Sequence, residues 1–273
     1  MTDALDFTGR TVFVAGGTSG INRGIAVGFA RAGARVGVLS RSADKVADTV
    51  AELESLGAQA AGFTADVRDS VAVNEALAKA AAALGCFDVL VSGAAGNFPA
   101  PALGMSEKGF RSVVDIDLVG TFNVNRGAFE HLKKPGGSII NISAPQAFAP
   151  AKLQLHVCAA KAGVDMVTRV LAMEWGSFGI RVNSIVPGPI EGTEGMARLA
   201  PGPLGKMVAD SVPLKRMGTT DDIANAALFL ASPLASYISG VVLPVDGAWS
   251  LAGFGAAMEQ LVGVMEAQQE GRD

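Results

Sequence analysis

Seven short apolar runs, each followed by a longer stretch of helical pattern, constrain this chain more than any other feature: TVFVAGG, ARVGVLS, QAAGFTAD, DVLVSGAAG, GSIINIS, RVNSIVPG and VVLPVDG. Most are continuously apolar rather than alternating. Successive side chains of a strand point to opposite sides, so a strand with one wet face alternates and a strand covered on both faces does not. Continuous runs separated by helices therefore predict a parallel sheet with helices on both faces, and right-handed crossovers make it doubly wound. The 273 residues are 49% hydrophobic and 18% charged, without an internal repeat or low-complexity linker. That suits a single domain, residues 1–273, with a sizeable core.

The turn after the first run reads AGGTSGINRGIA, with glycines at 16, 17, 20 and 24. Glycines here let the backbone turn sharply and approach a pyrophosphate, whose charge is met by the N–H groups that open the following helix. Placed after the first strand of an α/β chain, such a turn predicts a Rossmann-type dinucleotide fold. An acidic residue at the end of the second strand would accept from a free 2′-hydroxyl, but Ser40 is followed by Arg41. A guanidinium matches a 2′-phosphate, so NADP(H) is the expected cofactor, with Arg23 as a second contact unless both arginines are simply solvated. Asp66, at the end of the third strand, is placed to accept from an adenine amine, and residues 93–96 let a cofactor lie close to the backbone.

Two segments break the strand–helix rhythm. Residues 191–213 hold Gly192, Gly195, Pro201, Gly202, Pro203 and Gly205 just after the sixth strand, where open α/β sheets bind ligands. They read as a small mobile lid over a substrate, or else as a structural insertion. Met258, Leu261, Val262 and Met265 form an amphipathic stripe suited to packing on this domain or on a second subunit.

The net charge of −4 leaves no broad basic face, which excludes nucleic acid as an expected partner. Cys86 and Cys158 have no ligand-type spacing and are expected to be buried thiols; no metal site is expected. No stretch is long and apolar enough for a membrane span, the start MTDALDFTGR is unlike a leader, and the last residues, EGRD, are not a peroxisomal signal, so the expected compartment is the cytoplasm.

The glycine turn, the Asp66-Val67 pair, Gly-Ala-Ala-Gly at 93–96, Asn-Ile-Ser at 141–143, Lys161 and Pro187-Gly188 together resemble the short-chain dehydrogenase/reductase family over nearly the full length. Members of that family use an Asn-Ser-Tyr-Lys tetrad to reduce carbonyls. By spacing, those four positions are Asp117, Ala144, Val157 and Lys161 here, so only the lysine remains. Tyr237, the single tyrosine, is followed at the fourth place by Val241. One branch of the family is built this way: AAGNF (94–98), DIDLVGTFNV (115–124), LQLHVCAAKAGVD (153–165), PGPIEGTEG (187–195) and LASPLASYISG (230–240) resemble the peroxisomal type of 2,4-dienoyl-CoA reductase. The mitochondrial type carries a tyrosine in the loop after Asn-Ile-Ser, where this chain has Gln146.

The resemblance implies NADPH-dependent reduction of a 2,4-dienoyl-CoA to a 3-enoyl-CoA, with hydride delivered to C5 and a proton to the α-carbon. It implies cofactor contacts from Gly16, Gly17, Thr18, Ser19, Gly20, Ile21, Asn22, Arg41, Asp66, Val67, Ala94, Gly96, Lys161, Pro187, Gly188, Ile190 and Thr193. Asp117 and Lys161 become the catalytic pair, Asp117 holding the proton-donating water unless the pair only braces the fold. Arg41, Arg68 and Arg198 are implied on the CoA side, Phe98 and Ser106 along the acyl portion, and a homotetramer as the assembly. Asn22 stands where the family has its third turn glycine; it either tolerates left-handed backbone there or crowds the pyrophosphate. His156 lies about 100° around its helix from position 157 and suits packing better than catalysis. Two other readings stay open: a reductase of this fold acting on a different activated alkene or carbonyl, and a nucleotide-binding regulatory protein without turnover.

Overall fold

The computed structural model describes residues 2–199 and 204–252. The amphipathic stripe at 258–265 lies outside the described residues. Strands β1 (Thr11–Ala15), β2 (Arg35–Ser40), β3 (Ala60–Thr64), β4 (Val89–Ser92), β5 (Ser138–Ile142), β6 (Arg181–Pro187) and β7 (Val242–Val245) form one seven-stranded sheet in the order β3-β2-β1-β4-β5-β6-β7. Every ladder is parallel, which sharpens the expectation of a mostly parallel sheet.

The continuous apolar runs have a physical explanation in the two cores that flank the sheet. Val12 and Val14 of β1 join one core while Phe13 and Ala15 join the other; in β4, Val89 and Val91 face the first and Leu90 the second. Each face of an inner strand thus displaces water, and polar residues buried there, such as Asn141 and Asn183, are hydrogen-bonded. The first core is closed by α1 (Gly20–Arg31) and α9 (Thr220–Ala231), the second by α3 (Ser70–Leu84), α5 (Gly120–Ala128) and α6 (Leu155–Trp175). At the edges the requirement relaxes. Phe63 of β3 and Val245 of β7 are only partly buried.

Helices α1 and α9 approach closely because α1 presents glycine to its partner. A Cβ placed on Gly28 would lie 2.8 Å from Cβ of Ala224, and one on Gly24 would collide with Thr220. Helix α9 is begun by a reciprocal cap in which Thr219 Oγ1 accepts from Asp222 N–H and the Asp222 carboxylate accepts from Thr219 N–H at 2.7 Å.

The crossing point that matters for function lies between β1 and β4. Connections from β1 and β4 leave in opposite directions there, so their carboxyl ends open a crevice. Two short helices, α7 (Glu194–Leu199) and α8 (Leu204–Ser211), occupy the segment expected as a lid, and α2 (Ala43–Ser55) faces α7 through a Lys45–Glu194 ion pair of 3.1 Å. Among the described residues no helix is long and apolar enough to cross a membrane and no group of side chains could hold a metal ion. The expectation of two buried thiols is corrected: Cys86 is exposed in the turn after α3 and Cys158 is half-buried.

Candidate active site

A cavity of about 430 Å³ opens at the carboxyl ends of the strands. Its floor begins with the turn from β1 into α1. Gly16 has a φ of +80°, and a Cβ there would lie 2.8 Å from the backbone nitrogen of Ala94, so the first turn and the end of β4 meet only because position 16 lacks a side chain. Gly20, with φ +50°, lets α1 start abruptly. Ser19 precedes it in extended conformation and its hydroxyl caps none of the first-turn N–H groups, while no acidic residue occupies that turn. Such unsatisfied donors, together with the helix dipole, favour an anion in front of the helix.

Of the residues expected to hold a cofactor, Gly16, Thr18, Ser19, Gly20, Ile21, Asn22, Arg41, Asp66, Val67, Ala94, Gly96, Lys161, Pro187, Gly188, Ile190 and Thr193 line this cavity. Gly17 does not. A Cβ on it would lie 2.9 Å from the Val14 carbonyl oxygen and 3.0 Å from a Val38 methyl, so its smallness serves the packing of the turn on the sheet. Asn22 is inside α1 in ordinary helical conformation, and the left-handed geometry falls on Gly16 and Gly20 instead. Its amide is turned sideways, Nδ2 donating to the Gly93 carbonyl at 2.7 Å, and this space exists because Gly93 has no side chain. The amide therefore ties α1 to the end of β4.

At the adenosine end, Arg41 lines the cavity with its side chain mostly free, 3.9 Å from Asp66. Arg68 grips Asp66 through both carboxylate oxygens, at 3.0 and 2.6 Å, and that guanidinium holds the Asp66 carboxyl below the usual carboxylate range. Asp66 is thus an ionised acceptor at the rim. Arg23 is corrected as a second phosphate contact: it forms an ion pair of 2.7 Å with Glu52 and stays out of the cavity lining.

The reacting end is built around one buried ion pair. Asp117 sits in a π-helical turn (Asp115–Val119) between α4 (Glu107–Val114) and α5, where the widened coil carries its carboxylate inward. It is 1% exposed. Oδ1 accepts from Gly96 N–H at 2.7 Å and Oδ2 lies 3.2 Å from Nζ of Lys161. Nζ also donates to the Ile142 carbonyl at 3.0 Å. An ammonium has three donors. One donates to Ile142 while the charge faces Asp117, whose Oδ2 accepts no hydrogen bond, so donors remain for a ligand. Around this pair the walls are Ala144 and Val157, with Ile116, Asn97 and Gln146 beside them. Neither Ala144 nor Val157 supplies a proton.

His156 is fully buried and lies edge-on to Phe98 with ring centroids 4.5 Å apart; neither residue lines the cavity. Ser106 caps α4 by accepting from Gly109 N–H at 3.0 Å. Arg68 and Ser106 likewise stand outside the lining, and the Arg198 side chain lies outside the described residues. Lining residues that sequence reading passed over include Glu194, Met196 and Trp249. Trp249 lies four residues beyond β7, and the rule that ligands lie beyond the carboxyl ends of the strands would have marked it. Its indole N–H donates to the Ser211 hydroxyl at 3.1 Å, tying that loop to α8.

The unsatisfied N–H groups of α1, the glycine cradle and an arginine without a bidentate partner fit a dinucleotide bearing a 2′-phosphate. Comparison with known proteins agrees with this geometry. Residues 15–250 match the family model described as enoyl-(acyl carrier protein) reductase. The chain is 46% identical over 241 residues to a peroxisomal 2,4-dienoyl-CoA reductase of Rattus norvegicus, covering 87% of this chain and 82% of that protein. With the Arabidopsis thaliana protein of the same name it is 43% identical over 249 residues, covering 88% and 84%. Among solved structures, a dehydrogenase/reductase from Sinorhizobium meliloti superposes with a TM-score of 0.85 at 31% identity, covering 90% of this chain and 97% of that one. A citronellol catabolism dehydrogenase from Pseudomonas aeruginosa superposes with a TM-score of 0.79 at 37% identity, covering 90% and 96%. Sheet order, cleft and sequence identity together establish that this chain belongs to the short-chain dehydrogenase/reductase family of oxidoreductases.

Proposed function

We propose that the protein is an NADPH-dependent reductase of a conjugated 2,4-dienoyl-CoA, yielding a 3-enoyl-CoA. The observation that carries this reading is the buried Asp117–Lys161 pair at the reacting end, with Ala144 and Val157 where a carbonyl reductase needs its serine and tyrosine hydroxyls. Reduction of a ketone builds charge on the oxygen attached to the carbon that receives hydride, so the acid must be adjacent. A dienoyl thioester behaves differently. Charge arriving at C5 is conjugated through to the thioester oxygen, and the proton is needed at the α-carbon, several bonds away. The named activity of the relatives in rat and Arabidopsis supports the same substrate class.

Within this reading, NADPH supplies the hydride, and Arg41, Ser19, Ile21, Ile190, Thr193 and Lys161 are the residues that hold it. A free N–H of Lys161 would meet a ribose hydroxyl of the bound cofactor. Asp117, together with Lys161, holds the water that delivers a proton to the α-carbon, the hydroxide left behind taking a proton from solvent. Its second task is architectural, since Oδ1 fixes the Gly96 turn that forms the cavity wall. Arg41 serves the cofactor phosphate, and with Arg68 and Arg198 it offers the charge that receives the CoA phosphates. A homotetramer is proposed as the assembly.

The test follows NADPH absorbance with purified protein and a panel of a 2,4-dienoyl-CoA, a 2-enoyl-CoA and a 3-ketoacyl-CoA. Consumption with the dienoyl thioester alone is the expected result. Brisk turnover of the ketoacyl compound would place the protein with the carbonyl reductases, and tight NADPH binding without consumption by any of the three would make it a regulatory member of the family.

A further inference from the structure

A second basin, of about 670 Å³, lies at the opposite edge of the sheet, where β4 and β6 begin. Arg10, Asp88, Lys133, Arg181, Ser236 and Ser239 contribute its polar lining. Its charges do not balance. Asp88, the lone carboxylate in the lining, is already engaged on both oxygens, accepting from Thr11 N–H at 2.9 Å and from Lys133 at 3.0 Å. Arg10 lies over the Phe7 ring at 4.9 Å and forms no ion pair among the described residues. Arg181 is half-buried, and its guanidinium makes a single long contact, 3.4 Å to the Ile238 carbonyl. Burial without an anion beside it pushes the Arg181 pKa below the usual guanidinium value.

Helix carboxyl ends provide the plainest reason for cations at this edge. Helices α6 and α9 finish beside the basin with no basic residue in the last turn of either, so an exposed lysine nearby offsets their dipoles. That accounts for Lys133 on the rim. It does not account for Arg181, because desolvating a guanidinium is costly unless charge-assisted hydrogen bonds replace its water, and five N–H donors here share one weak acceptor. Arg181, left without a carboxylate, and Arg10, whose carboxylate neighbour is the exposed Asp6, converge on one concave surface of a chain whose net charge is −4.

We propose that this basin is a second ligand site, which binds a small anion through its phosphate or carboxylate, with Arg181 and Arg10 as the recognising pair. Ser236 and Ser239 stand beside them with hydroxyl donors. The site shares no residue with the dinucleotide cavity, so its occupancy is independent of the reductase reading.

The experiment uses the full chain saturated with NADP+, which fills the phosphate subsites of the cofactor cavity. Inorganic phosphate and, separately, succinate are titrated by calorimetry against sodium chloride of equal ionic strength. Saturable binding beyond the chloride response is expected, and Arg181→Met and Arg10→Gln are each expected to weaken it about tenfold while NADPH affinity stays unchanged. A preference for phosphate or for succinate identifies which anion class the pair serves. Arg10→Gln changes a partly exposed residue outside the sheet, so it decides the question if Arg181→Met folds poorly. Equal anion binding by wild type and Arg10→Gln, or no binding beyond chloride, overturns the proposal.

Discussion

Asp117 performs two tasks through two oxygens, and substitutions separate them. Asp117→Asn retains an acceptor for Gly96 N–H but removes the charge facing Lys161. We expect folded protein, unaltered NADPH binding and a kcat lower by about 10². Wild-type turnover in the asparagine variant would remove the carboxylate from the reaction and leave it a brace. Lys161→Met takes away both the Asp117 counter-charge and the donor to Ile142, so it should cost more in kcat and also weaken cofactor binding. At the other end of the cavity, Arg41→Ser is expected to weaken NADPH about tenfold and leave NADH unchanged, measured by fluorescence titration. Equal losses for both cofactors would mean that Arg41 does not read the 2′-phosphate. Arg41, after the second strand, and Arg23, in the glycine turn, carry the same expectation in sequence, contact with a 2′-phosphate. Only the folded chain separates them, because Glu52 on α2 captures Arg23 and no carboxylate captures Arg41 to the same degree.

The elements around the cavity owe their positions to their ends and irregularities. A regular helix through residues 107–128 would rotate position 117 away from Lys161; the π turn inserts the extra backbone that turns it inward. Nothing in DIDLVG announces that widening. The start of α9 is more transparent. Thr219 followed three residues later by Asp222 is a capping pattern, and the structure contains both of its hydrogen bonds. Thr219→Ala should cost about 1 kcal/mol, read as a fall of about 2–4 °C in Tm. The Arg216 guanidinium, aided by the Thr219 N–H, holds the Asp222 carboxyl well below its ordinary value of 3.8. A carboxyl whose folded pKa is depressed stabilises the fold above its unfolded pKa and loses that contribution as the pH falls toward the folded value. Wild type should therefore lose stability more steeply than Arg216→Ala as the pH is lowered below 3.8, in acid melts of the two proteins. Parallel curves would show that the pair contributes nothing to folding.

At the scale of the whole molecule, large apolar side chains on two helices are left uncovered by the described chain. Phe122 on α5 and Met166, Val170 and Met173 on α6 are exposed at 51%, 54%, 42% and 85%, although they are large and apolar. Large exposed apolar side chains of this kind suit an interaction surface, and the proposed tetramer would give them a partner. Phe122→Glu combined with Met166→Glu should lower the mass seen by sedimentation velocity; an unchanged assembly would place the contacts elsewhere. The seven strands, their parallel direction and the cofactor end of the sheet were legible because they rest on local rules: continuous apolar runs demand two covered faces, and a glycine turn after the first strand admits a pyrophosphate. Lys161 and Asp117 were legible by family spacing. What the tertiary structure alone decided are the relations between residues distant in sequence: the sideways tie of Asn22 to Gly93, the capture of Arg23 by Glu52, the inclusion of Trp249 in the cavity and the exposure of Cys86. Periodicity reports whether a residue's own element has a covered face. Which neighbour meets a particular side chain depends on how elements far apart in the chain are brought together, and that information exists only once they are packed.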